Sequence, residues 1–124
     1  MPQIIRTAKA PASTSPVSQA VKGGGFVFVG GQMPRDVHTG LIVEGAAAQA
    51  KLSLAHCIAV LEEAGSTADK VMLAEVFMTD LSQKAAVNIA FQEVFGEAPP
   101  ARNLVEVKDI GEGTIVEIGL IALA

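Results

Sequence analysis

The chain has 124 residues, enough for one domain with its own core and too few for two ordinary ones; half are apolar and 18% charged. A formal charge of -4, evenly spread Lys and Arg, and the lack of Trp and Tyr leave no basic stripe and little to stack on bases, so nucleic acid is not an expected partner. The lone Cys57 excludes an internal disulfide framework and fits a reducing compartment. No apolar run approaches the roughly 20 residues that span a bilayer, and MPQIIRTAKAPAS lacks a signal-peptide core. The expectation is a cytoplasmic protein that engages no membrane.

Residues Gln3 to Thr7 read as a short edge strand, followed by a Pro/Ser/Thr-rich link from Ala10 to Pro16 that cannot hold a helix. Val17 to Val21 is expected to pair with Phe26-Val27-Phe28-Val29 through the turn Gly23-Gly24-Gly25, and the second strand ends at Gly30-Gly31-Gln32-Met33-Pro34. From Glu44 to Ala64 a helix is predicted, with Ala47, Ala50, Leu54, Cys57, Ile58 and Leu61 on an apolar stripe. Gln49, Ser53, His56 and Glu63 line another face, and Gly65 ends the helix. Val71 to Thr79 is a strand with Met72, Ala74, Val76 and Met78 on one side and only Glu75 interrupting the other, which predicts burial on both sides. A second helix runs from Ser82 to Phe95, carrying Val87, Ala90, Phe91 and Val94 on one stripe. Strands Ala101 to Val107 and Thr114 to Leu123, joined through Gly111-Glu112-Gly113, close the chain.

This order predicts a single α+β domain over residues 1–124, a mixed β-sheet with two helices on one face. Two helices cannot cover both faces of an apolar sheet, so self-association in a closed ring is expected to cover the other.

Two charges interrupt apolar strands: Arg102 in Ala101-Arg102-Asn103-Leu104-Val105, and Glu117 in Ile115-Val116-Glu117-Ile118. An unpaired buried charge costs several kcal/mol, so each must be paired, at a cleft mouth, or exposed. A guanidinium in a cleft can grip a carboxylate through two parallel hydrogen bonds, and a nearby Glu can orient or deprotonate water. From spacing alone, a structural ion pair or two solvated charges is the commoner arrangement. Gly30-Gly31 can let backbone approach a ligand, or be a plain turn. Neither this pair nor the glycine turn has the spacing of a phosphate-binding loop. Cys57 lies on the apolar stripe, where an inert thiol is expected; His56 and His38 build neither a triad nor a metal site with it.

Along almost its full length the chain resembles the RidA (YjgF-type) family. The resemblance is carried by Ala10-Pro11 with Ser15-Pro16, by Gly31-Gln32-Met33-Pro34 and by Thr39-Gly40. Val76-Phe77-Met78-Thr79-Asp80-Leu81, Val87-Asn88, Pro100-Ala101-Arg102 and Val116-Glu117-Ile118 carry it in the second half, with Pro-Ala-Arg the most specific. It implies a chorismate-mutase-like fold and a homotrimer around a central barrel, with clefts between neighbouring subunits. It also implies hydrolytic deamination of small carboxylate-bearing 2-imino or 2-enamino acids to 2-oxo acids and ammonia, without cofactor or metal. Arg102 would grip the substrate carboxylate and Glu117 would position water. Backbone at Gly31 would contact the substrate, with Val17, Gly30, Asn88, Asn103 and Leu104 lining the pocket. The chain departs from the best-known deaminases at Val17, where they have tyrosine, at Gly30, where they have serine, and at Leu104, where a cysteine is frequent. Gly119 stands where the family commonly has a second acidic residue. Each change removes a polar group, which favours substrates with apolar side chains. The alternatives are a non-catalytic trimeric binder of small 2-oxo or carboxylic acids, or a hydrolase of another small catabolic substrate. The family's ribonuclease label ranks last, because charge and aromatic content argue against RNA.

Overall fold

Gly24 and Gly25 both adopt left-handed backbone, with φ of 62° and 85°, which is what a two-residue hairpin loop requires and what a Cβ would resist. In the computed structural model, which describes residues 1–124, this turn joins β2 (Ala20–Gly23) to β3 (Phe26–Gln32), with Gly23 opposite Phe26. β1 (Gln3–Ile5) pairs outside β2. The chain continues through α1 (Ala46–Glu63), β4 (Val71–Met78), α2 (Lys84–Phe95), β5 (Ala101–Glu106) and β6 (Val116–Leu123). The six strands form one sheet in the order β1-β2-β3-β6-β4-β5. Only β4 and β5 run parallel, joined by the crossover that contains α2, so the sheet is mixed as expected.

Side-chain parity decides which residues meet the helices. Val27 and Val29 of β3, Ala74, Val76 and Met78 of β4, and Val116, Ile118, Leu120 and Ala122 of β6 form one layer. Leu54, Cys57, Val60 and Leu61 of α1 and Val87, Ala90 and Phe91 of α2 close over it. No helix is long and apolar enough to cross a membrane.

Several boundaries differ from the sequence reading. β2 begins at Ala20, and Val17 lies before it, 67% exposed. The predicted start of the second helix at Ser82 falls instead in a 3-10 turn, Leu81–Gln83, where the Asp80 side chain accepts from the Ser82 amide at 3.0 Å. Such a side chain–backbone bond competes with helix at its own position, and α2 starts only at Lys84. A register shift between Val71 and Leu73 turns Met72 away from the core, 50% exposed, so it does not continue the line of Ala74, Val76 and Met78. Nor is β4 covered on both sides within one chain: the face away from the helices bears exposed Phe26, Phe28, Val105 and Leu123. Finally, Gln49, Ser53 and His56 are buried like the apolar stripe beside them, at most 5% exposed. α1 is embedded around more of its circumference than its polarity suggests.

Leu54 is fully enclosed. Leu54→Ala is expected to lower unfolding free energy by about 3 kcal/mol, read as a lower urea midpoint with an unchanged slope.

Candidate active site at the Gly30-Gly31 bulge

β3 and β6 pair at Val29↔Leu120 and again at Gln32↔Ile118, so Gly30 and Gly31 stand opposite Gly119 alone. This is a bulge, and it bends β3 against its neighbour. A Cβ on Gly119 would lie 3.1 Å from the Val29 carbonyl oxygen and 3.4 Å from the Gly31 nitrogen. A Cβ on Gly31 would lie 2.8 Å from Oε1 of Glu117, inside contact distance. The carboxyl of Glu117 therefore rests directly on the Gly31 backbone. Gly30 commits its N–H to the Gln19 carbonyl at 2.9 Å, which brings the segment just after Val17 alongside the bulge.

Glu117 is half-buried, and the ion pairs of the chain, Arg35–Glu112 and Lys51–Glu93, do not involve it. With no cation beside it, burial raises its pKa above the ordinary 4.5. A carboxyl in that state can accept and return a proton closer to neutrality than a solvated one.

Arg102 lies elsewhere. It is level with Ala74, on the helix-covered side of the sheet, whereas Glu117 is level with Phe77 on the open side. Its guanidinium donates to Oδ1 of Asn88 at 2.9 Å and stacks 4.9 Å above the Phe91 ring. A cavity of about 260 Å³ opens there, lined by Asn88, Phe91, Gln92, Pro100 and Arg102 among others. Leu104 is on this same side, level with Val76 and packed against the core, and Asn103 is exposed on the open side. The chain thus gathers Gly30, Gly31 and Glu117, with Val17 close by, into one cluster and Arg102, Asn88 and Leu104 into another. Arg102 and Glu117 do not pair.

Cys57 is fully buried, its thiol held firmly protonated by desolvation, and its S–H donates to the Ile118 carbonyl at 3.0 Å. His56 Nε2 bonds the Arg35 carbonyl at 2.8 Å. No group of three His, Cys, Asp or Glu side chains is placed to hold a metal. The sequence reading set Gln49 and Ser53 on a separate polar face and gave them no role, whereas their side chains bond the backbone of residues 115–118. Their four-residue spacing in register with Cys57 was the available signal.

A family model described as Endoribonuclease L-PSP matches residues 7–124. The chain belongs to the RidA (YjgF) family. It is 41% identical to a RutC family protein of Pyrococcus abyssi, over 97% of this chain and 95% of the relative. It is 36% identical to the 2-iminobutanoate/2-iminopropanoate deaminase of Salmonella typhimurium, over 99% and 98%. The crystal structure of RidA from an Antarctic Psychrobacter superposes with a TM-score of 0.94 at 38% identity, covering 98% of this chain and 99% of that one. The mixed sheet and its two helices are thus those of a RidA-type α+β domain.

The raised pKa of Glu117 sets a pH signature. Between 4.5 and the higher folded value, the folded chain keeps a proton that the unfolded chain has lost. Stability therefore falls as pH rises through this window and levels off above it. Glu117→Gln should melt higher than wild type at about pH 8, and the gain should vanish below 4.5, as thermal denaturation across pH will show.

Proposed function

We propose that the chain hydrolyses small 2-imino acids to 2-oxo acids and ammonia, in sites shared between copies of a homotrimer. The observation that carries this reading is the Glu117 carboxyl laid against the bare backbone of Gly31, half-buried and without a cation. Such a group can take a proton from water as the oxygen adds to the C=N carbon, and return it as the nitrogen leaves. The reaction balances with water alone: one water adds, the C–N bond breaks, and ammonia departs. Arg102, steadied by Asn88 and Phe91, suits the substrate carboxylate, because a guanidinium presents two parallel N–H donors to it. The Salmonella relative's name supports this substrate class.

Because Arg102 and Glu117 occupy opposite sides of the sheet, a site that uses both draws them from two chains. The exposed apolar face bearing Phe26, Phe28, Val105 and Leu123 supports such an assembly, since apolar area of this kind is stabilised by covering it. Each cleft would then take Glu117, Gly30, Gly31 and Val17 from one copy and Arg102, Asn88 and Leu104 from its neighbour, with Asn103 at the rim. Val17, Gly30 and Leu104 offer no side-chain hydrogen-bonding group there, which suits imines with apolar side chains. The ribonuclease label of the family model is a poorer fit to a chain with a net charge of -4.

Ammonia release from freshly generated imines of alanine and leucine tests the reading. Arg102→Ala should raise KM by about tenfold to a hundredfold, the worth of hydrogen bonds to a charged group, and Glu117→Gln should lower kcat by about a hundredfold or more. Absence of acceleration with every imine, alongside calorimetric binding of 2-oxobutanoate, would replace hydrolysis with binding. Mixing the two impaired variants through denaturation and refolding, assayed at substrate well below the raised KM, should restore about a quarter of wild-type sites if the residues come from different chains, and none if they come from one. Phe28→Asp should shift sedimentation toward the monomer.

A further inference from the structure

The proposed hydrolysis requires the Glu117 carboxyl to stay at one height above Gly31, and the catalytic consequence of the role assigned to Ser53 rests on that reading. At the bulge the ladder between β3 and β6 is interrupted by a side chain from α1. The Ile118 amide donates to Oγ of Ser53 at 3.0 Å, and the same hydroxyl donates to the Gln32 carbonyl at 2.7 Å. Ile118 and Gln32 are register partners, so the hydroxyl stands where a direct strand-to-strand bond would form. Ser53 is fully buried, leaving no solvent to substitute for it.

The neighbouring turns of α1 hold the same stretch of β6. Gln49 accepts from the Ile115 and Val116 amides at 2.6 and 3.2 Å and is anchored by donating to the Val43 carbonyl at 3.0 Å. Cys57 donates to the Ile118 carbonyl. Residues 49, 53 and 57 thus clamp 115–118 from the helix side while Glu117 projects to the other side.

We infer that Ser53 is a positioning residue: its hydroxyl, wedged between Gln32 and Ile118, holds β3 and β6 apart and thereby sets Glu117 over Gly31. Without it the amide and carbonyl must bond directly, drawing the strands together, or stay unpaired in the core, which costs about 1–3 kcal/mol per group. Closure would press Glu117 into a backbone that has no room for even a Cβ between them. Either response moves the carboxyl.

The elements packed against Glu117 offer few other titratable groups. β3 has none, β4 presents Glu75 two residues along the same face, and α1 contributes Cys57 behind the sheet, with His56 turned to the Arg35 carbonyl. A change in Glu117 titration therefore reports on its own surroundings.

The test follows the Glu117 carboxyl by carbon-13 NMR in full-length protein, assigned by the signal lost in Glu117→Gln, in wild type, Ser53→Ala and Ser53→Thr. Leu54→Ala serves as a control that weakens the packing of α1 but leaves its hydrogen bonds to β6 in place. In Ser53→Ala the Glu117 midpoint should shift, toward 4.5 if the carboxyl is released to solvent and further from it if strand closure buries it more, while Ser53→Thr, which keeps the hydroxyl, and Leu54→Ala keep the wild-type midpoint. Imine hydrolysis by Ser53→Ala should lose about tenfold to a hundredfold in kcat with KM within about twofold, as expected for a misplaced group rather than lost binding. If Ser53→Ala does not fold, Ser53→Cys, which fills the space but donates weakly, takes its place with the same expectation. An unmoved midpoint, whatever the loss of stability, overturns the positioning role. Should wild type hydrolyse no imine, the proposed function fails while the titration still decides the role of Ser53.

Discussion

The close approach of β6 to the bulged end of β3 is the constraint on which the rest of this site depends. Gly119 runs close beside Val29 and Gly31; a Cβ there would be 3.1 Å from the Val29 carbonyl oxygen, tight enough that the backbone would have to give way by a few tenths of an ångström. That proximity sets two glycines of β3 against one of β6 and brings the Glu117 carboxyl onto Gly31. It also gives Gly119 a steric meaning. Read by resemblance, this position is a missing acidic residue; in the structure, a side chain here would begin against the Val29 carbonyl.

The same bulge leaves backbone groups without strand partners, and α1 supplies the replacements. A buried amide or carbonyl without a partner is costly, so the polar residues of α1 are as much a part of the core as its leucines. This is why the helix has weak amphipathic contrast yet packs against the sheet along its length. Hydrophobic stripe and polar clamp interleave on the covered surface, with Leu54 and Ser53 adjacent in sequence and both fully enclosed.

Pleating separates the two charged residues that stood out in the strands. Alternation along β4 sends Ala74 toward the helices and Phe77 away from them, and the strands on either side follow, carrying Arg102 with the first and Glu117 with the second. Arg102 gains a place on Phe91 and a bond to Asn88 near the edge of the sheet. Glu117 gains a desolvated seat on the open face. A single chain therefore keeps the two charged side chains on opposite faces of its sheet.

The sequence by itself determined the element order, the glycine hairpin, the two helices and the α+β class, because these follow from periodicity and from glycine's freedom at positive φ. It also marked Arg102 and Glu117, since a charge within an apolar strand must be accounted for. Val17 as a strand residue, Met72 on the core side and β4 covered on both faces were misread. Each depends on register or on what lies across the sheet, and composition carries neither. Only the tertiary structure decided that Ser53 and Gln49 face inward, that Gly31 and Glu117 touch, and that Arg102 and Glu117 lie on opposite faces. The contact of Gly31 with Glu117 rests on a one-residue bulge between strands paired at Gln32 and Ile118, 86 residues apart in the chain, and a shift of one residue reverses every face it touches.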